Sequence, residues 1–181
     1  AFSLGVGSVL GVKHGGVGSV PMVTAQNATI QQGQVGQAIG VSGDFAVTDS
    51  LAIDIQGENR RLDLVGALSG SGNLSLQGVL GGVLSLSTPI STLAGDVAIE
   101  DITVINAAPG SLRGGNVNLS GELWSDSALN FAGKRLTLIG SEVKVQLDKN
   151  IYVSELFFQP DREDESEFNL DGLLGDPVGT P

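Results

Sequence analysis

Leu62-Asp63-Leu64-Val65-Gly66-Ala67-Leu68-Ser69-Gly70-Ser71-Gly72-Asn73-Leu74-Ser75-Leu76-Gln77-Gly78 is the stretch on which the fold reading turns. Leu62 and Leu64, then Leu74 and Leu76, stand two apart with a small or polar residue between them. Successive side chains of an extended strand point to opposite faces, so this spacing buries one face and wets the other. The intervening Gly70-Ser71-Gly72 supplies turn chemistry. The same alternation appears upstream in Leu51-Ala52-Ile53-Asp54-Ile55. Downstream it recurs in Leu84-Ser85-Leu86, Val97-Ala98-Ile99, Val117-Asn118-Leu119, Leu129-Asn130-Phe131, Leu136-Thr137-Leu138, Val143-Lys144-Val145 and Ile151-Tyr152-Val153. No stretch of helical length carries a 3.6-residue apolar stripe, and 27 glycines in 181 residues oppose helix. The sequence predicts an all-β protein of short, Gly-punctuated strands.

An internal duplication is expected. Gly43-Asp44-Phe45-Ala46-Val47-Thr48-Asp49 recurs as Gly95-Asp96-Val97-Ala98-Ile99-Glu100-Asp101, an offset of 52. Leu64-Val65-Gly66-Ala67-Leu68 matches Leu119-Ser120-Gly121-Glu122-Leu123 at an offset of 55. An insertion near Ala107-Ala108-Pro109-Gly110 accounts for the change. Repeat units are placed at 43–94 and 95–147, within a duplicated β body over 25–160. Stacked units whose apolar faces close only against each other make a β-helix or solenoid the first expectation, with a jelly-roll β-sandwich as the alternative.

Residues 62–104, with the Gly-Ser-Gly turn between apolar strands and the further strand Val83-Leu84-Ser85-Leu86-Ser87, resemble the repeat of autotransporter passenger domains. That resemblance covers about a quarter of the chain. It implies a parallel β-helix displayed on a bacterial surface. The second copy departs from it at Trp124-Ser125-Asp126-Ser127-Ala128. Around Leu129-Asn130-Phe131-Ala132-Gly133-Lys134-Arg135-Leu136-Thr137-Leu138 the chain is also similar to the β-folds of envelope lipid transport, which implies a lipid-carrying groove.

Charge divides the chain into three. The first 43 residues carry one charge, Lys13. The last 21 hold seven acids against Arg162, which places −6 of the net −11 there. The map is therefore a Gly-rich apolar segment over 1–24, the body, and an acidic tail over 161–181. The acidic balance argues against nucleic-acid binding, and zero cysteines exclude disulfides and Cys-based zinc sites. No apolar run reaches the length of a transmembrane helix. The start lacks the basic flank of a signal peptide and suits a mature end left by cleavage or by loss of an initiator Met.

Candidate sites are few. Gly5-Val6-Gly7-Ser8-Val9-Leu10 and Gly16-Val17-Gly18-Ser19-Val20-Pro21 each miss the last glycine of a dinucleotide fingerprint. A catalytic triad would have to use the only histidine, His14. Asp44 with Asp49, and Asp96 with Asp101, read as turn and strand-end residues. Paired glycosidase carboxylates stand about 5–10 Å apart across a cleft, whereas five extended residues span up to about 17 Å. Neither an enzyme nor a cofactor is expected. Asp161, Glu163, Asp164 and Glu165 form a weak calcium candidate, off the EF-hand spacing. Asn27, Asn73 and Asn118 open Asn-X-Ser/Thr sequons and are glycosylation candidates. Trp124 and Tyr152 are offered first to packing and second to a glycan ligand.

The segment 1–24 has strand-forming residues and almost none of the charge that blunts exposed edges. Phe2, Leu4, Val6, Val9, Leu10 and Val12 are therefore the candidate assembly residues, covered within their own domain or by strand addition to a neighbouring subunit. The expected function is that of an extracellular or cell-surface structural protein that self-associates into a homo-oligomer or homopolymer, such as a filament, sheath or coat. A carbohydrate-binding adhesin or phage-spike-like β-helix and a lipid-carrying groove are the alternatives.

Overall fold

A computed structural model describes residues 2–12, 16–19, 23–32, 38–79, 81–87, 92–106, 115–125, 129–140, 143–147 and 151–159. The chain is a β-solenoid, and among the described residues every strand pair is parallel. The first coil contributes β1 (Phe2–Leu4), β2 (Val9–Val12) and β3 (Gly16–Ser19). Three-strand coils follow as β4 (Val23–Ala25), β5 (Ala28–Gln32), β6 (Ala38–Ser42); β7 (Phe45–Val47), β8 (Ser50–Ile55), β9 (Arg61–Val65); and β10 (Leu68–Gly70), β11 (Asn73–Gly78), β12 (Val83–Leu86). The last of this kind is β13 (Thr92–Leu93), β14 (Val97–Glu100), β15 (Thr103–Asn106). Then come β16 (Val117–Leu119), β17 (Glu122–Ser125), β18 (Leu129–Ile139), β19 (Lys144–Leu147) and β20 (Ile151–Gln159).

Each of the first five coils lays one strand on each of three faces, and the later coils add described strands to the second and third faces only. The first face is the sheet β1-β4-β7-β10-β13, the second is the eight-stranded β2-β5-β8-β11-β14-β16-β18-β20, and the third is β3-β6-β9-β12-β15-β17-β19. Strand interiors face the coil axis and strand exteriors face water. This explains why a parallel sheet here keeps a clean two-residue alternation instead of the continuous apolar runs of parallel sheets covered on both sides. The sandwich alternative is replaced, since sandwiches are built from antiparallel sheets.

Parallel, in-register pairing stacks like on like. On the second face Leu10, Ile30, Ile53, Leu76, Ile99, Leu119, Leu138 and Phe158 form one inward column, as read through successive partners. A second runs Ala28, Leu51, Leu74, Val97, Val117, Leu136 and Leu156. The third face adds Leu62, Leu84, Val104, Leu123 and Val145. Most of these side chains are fully buried, each stabilising by about 1.5–3 kcal/mol relative to exposure. The core is therefore a set of apolar columns along the solenoid axis.

The repeat shown by pairing is shorter than the 52-residue offset. Side-chain links between neighbouring coils join residues 23 apart early in the chain and 20 or 19 apart later. Gly43-Asp44-Phe45 opens a first-face strand, whereas Gly95-Asp96-Val97 opens a second-face strand. The two matched segments thus occupy different faces. Residues 2–12 pair into the same solenoid as its first coil. Among the described residues no helix is long and apolar enough to cross a membrane.

Candidate assembly site at the solenoid ends

Two features stand out: a polar ladder at one corner, and the outer edges of β2 and β20, which have no partner strand among the described residues. The ladder lies where the chain turns onto the second face. The N–H of Asp96 donates to Asn73 Oδ1 at 3.0 Å, that of Asn116 to Asp96 Oδ1 at 2.9 Å, and that of Arg135 to Asn116 Oδ1 at 3.2 Å. Ser50 pairs in register with Asn73, and its hydroxyl donates to Asn27 Oδ1; at a different corner, where the chain turns onto the first face, the Ala67 N–H donates to Asp44 Oδ1 at 3.0 Å. Glycines precede the ladder residues and allow the coils to approach. A Cβ on Gly72 would sit 2.6 Å from the Asp49 carbonyl oxygen, and one on Gly95 or Gly115 would overlap the carbonyl of the preceding coil's glycine.

This column was not anticipated from the sequence, although its signal is present. Gly72-Asn73-Leu74-Ser75-Leu76, Gly95-Asp96-Val97-Ala98-Ile99 and Gly115-Asn116-Val117-Asn118-Leu119 share the order Gly, Asx, apolar, any, apolar. That order recurs at the spacing of the coils.

At the N-terminal end, β1, β2 and β3 each pair on one side only among the described residues. Leu4 is buried and Leu10 packs partly against the core. Val6 is exposed, and Val9 is 59% exposed. The Gly5–Ser8 turn is tied to itself by Ser8 N–H to Gly5 O at 3.0 Å, and to the next coil by Gly7 N–H to Asn27 O at 2.9 Å. No ionisable side chain occurs from Phe2 to Val12. Phe2 and Val12 lie in the strands, but their side chains are outside the described set.

At the opposite end, β20 pairs with β18 alone among the described residues. Leu156 aligns with the buried Leu136 and Phe158 with the buried Leu138, so both continue the inward columns. They are nonetheless 37% and 39% exposed. Phe157, aligned with Thr137 on the outer side, is also exposed. The Arg135 guanidinium lies 4.3 Å from the Phe157 ring centroid, and its Nε is 2.9 Å from Glu155 Oε2. Arg135 therefore holds two β20 side chains against β18, while its own N–H closes the corner ladder.

Other sequence candidates are dispersed. Asn27 is exposed in a left-handed turn at φ 51°. Asn73 is exposed and takes part in the ladder, and Asn118 is half-buried on β16. Asp44 and Asp49 flank β7, and Asp96 and Asp101 flank β14, at turns in both cases. Trp124 is 41% exposed on the outer side of the third face, between Ile105 and Gln146 in register. Asp161, Glu163, Asp164 and Glu165 lie outside the described residues, as do His14 and the Tyr152 side chain. Comparisons with protein-family models, curated proteins and solved structures found no match to the chain.

Proposed function

We propose that the chain is a non-enzymatic structural building block, extracellular or held at a cell surface, that self-assembles by adding strands at the ends of its solenoid. One observation carries this reading: the eight-stranded second face ends at both sides in strands with an open edge among the described residues. Those edges bear Val9 at one end and Leu156 at the other, both exposed. Edge strands are normally blunted by charge, proline or a cover. Phe2–Val12 offers neither charge nor proline. The resemblance of residues 62–104 to autotransporter passenger repeats belongs with this reading, because the coil architecture is the one that resemblance implies. Negative-stain electron microscopy with mass determination in solution is the test. Elongated multimers support the proposal, and monodisperse monomers at micromolar concentration overturn it.

A glycan-binding adhesin is the second reading, favoured by Trp124, which stands exposed on the third face beside Glu122, itself accepting a bond from Thr103 Oγ1 at 3.0 Å. Aromatic faces stack on sugars, and carboxylates accept from their hydroxyls. Binding on a glycan array that Trp124→Ala abolishes would favour it. A lipid-carrying groove would require an open apolar channel, and the stacked Leu, Ile and Val columns occupy the axis of the described coils.

A further inference from the structure

Resting on the glycan-binding reading, we infer that the outer side of the third face carries a track for a neutral sugar chain, with Ser85 at its floor and Trp124 as its stacking platform. The track follows from strand register. Asp63 pairs with Ser85, Ser85 with Ile105 and Ile105 with Trp124, so the four form one column on successive strands. Ser85 stands between the buried Leu84 and Leu86, and Trp124 between the buried Leu123 and Ser125. Both side chains therefore point away from the core. Ser85 is nevertheless only 3% exposed, whereas Trp124 is 41% exposed. A small residue between the larger Asp63 and Ile105 makes a notch in the column. The Ser85 hydroxyl at its base has no hydrogen-bond partner among the described residues.

A buried hydroxyl without a partner is costly, and a hydroxyl on a ligand satisfies it. The rest of the column fits the same ligand. The Trp124 ring offers a flat apolar face, and Asp63 offers carboxylate oxygens at the notch wall. Arg61 Nε lies 2.7 Å from Asp63 Oδ1 and holds that carboxylate in place. Strands lie about 4.8 Å apart, so Trp124, two strands from Ser85, stands about 10 Å away along the axis. Linked pyranose rings span that interval, one stacked on Trp124 and another setting a hydroxyl in the notch. A purely apolar ligand would strip water from Ser85 and Asp63 and return no bond. The net charge of −11, with the carboxylates of Asp63 and Glu122 beside the track, selects neutral over acidic sugars.

The chain has one tryptophan and no cysteine, so each end of the track can be read separately in the full-length protein. Cellohexaose and chitohexaose are the neutral probes, and hexagalacturonate is the acidic one. At least one neutral hexasaccharide is expected to shift Trp124 fluorescence saturably, with hexagalacturonate binding about tenfold more weakly. Ser85→Ala should weaken the neutral binding about fivefold by removing the hydroxyl. Ser85→Leu should abolish it by filling the notch, and circular dichroism should be unchanged in both variants. In Ser85→Cys the bound sugar should slow alkylation of the thiol by iodoacetamide. Trp124→Ala, followed by calorimetry, should lose binding. Binding that Trp124→Ala abolishes and neither Ser85→Ala nor Ser85→Leu changes would overturn the track and leave a glycan site at Trp124 standing. Preference for hexagalacturonate would overturn the ligand class. No binding to these probes or on a glycan array would overturn both the track and the glycan reading.

Discussion

Asp96 and Asn73 are joined across neighbouring coils by the main chain of one and the side chain of the other: Asp96 N–H donates to Asn73 Oδ1 at 3.0 Å. The link fixes where one coil begins relative to the coil beneath it. Asn73→Ala removes the acceptor and leaves the amide to water at an exposed corner. A loss of about 1 kcal/mol is expected, measured as a lower midpoint in urea with an unchanged slope.

Gly66 makes the steric side of the same argument. Its φ is +141°, and a Cβ there would overlap the Gly43 carbonyl oxygen. Gly66→Ala therefore incurs backbone strain of about 1–3 kcal/mol, and the overlap adds to it. Thermal unfolding should show a larger drop for Gly66→Ala than for Gly11→Ala, since nothing lies within 4 Å of a Cβ at Gly11.

Position within a column decides what a leucine does. Leu76 is fully buried in the middle of the second face, and Leu76→Ala is expected to lose about 2–5 kcal/mol of stability. Leu156 continues the neighbouring column but is 37% exposed. Leu156→Lys should leave the circular-dichroism signature of β structure in place while reducing multimers in sedimentation velocity. Equal loss of folding in both variants would count against an interface at β20.

Arg135 serves β20 in two ways, through Glu155 and through the Phe157 ring. Both contacts are at the surface, so their sum is on the order of 1 kcal/mol. Arg135→Ala should change global stability little and raise hydrogen exchange of β20 amides selectively. Uniform exchange across β11 and β20 would contradict this assignment.

Leu62, Leu64, Leu74 and Leu76 show how much of the fold is written in the sequence. Their spacing marks strands with one buried face, and all four point to the axis. The length of the coil was harder to see. Gly43-Asp44-Phe45 resembles Gly95-Asp96-Val97 because both open strands at a turn, and a turn onto the first face uses the same residue types as a turn onto the second. The true recurrence from Gly72-Asn73 to Gly95-Asp96 is obscured downstream, where coils shorten and Lys134-Arg135 stands in the Gly-Asx place. The ends are illegible for a different reason. Leu136 and Leu156 occupy equivalent places, and only the strand stacked beyond each decides which is buried.

The corner ladder has a direction. At Asn73, Asp96 and Asn116 the earlier coil supplies the side-chain oxygen and the later coil brings the amide. During synthesis the N-terminal part of a chain is available first. The coils opened by Asp96, Asn116 and Arg135 therefore meet an acceptor already in place as they leave the ribosome, and the register of each of those turns is set by the turn made before it.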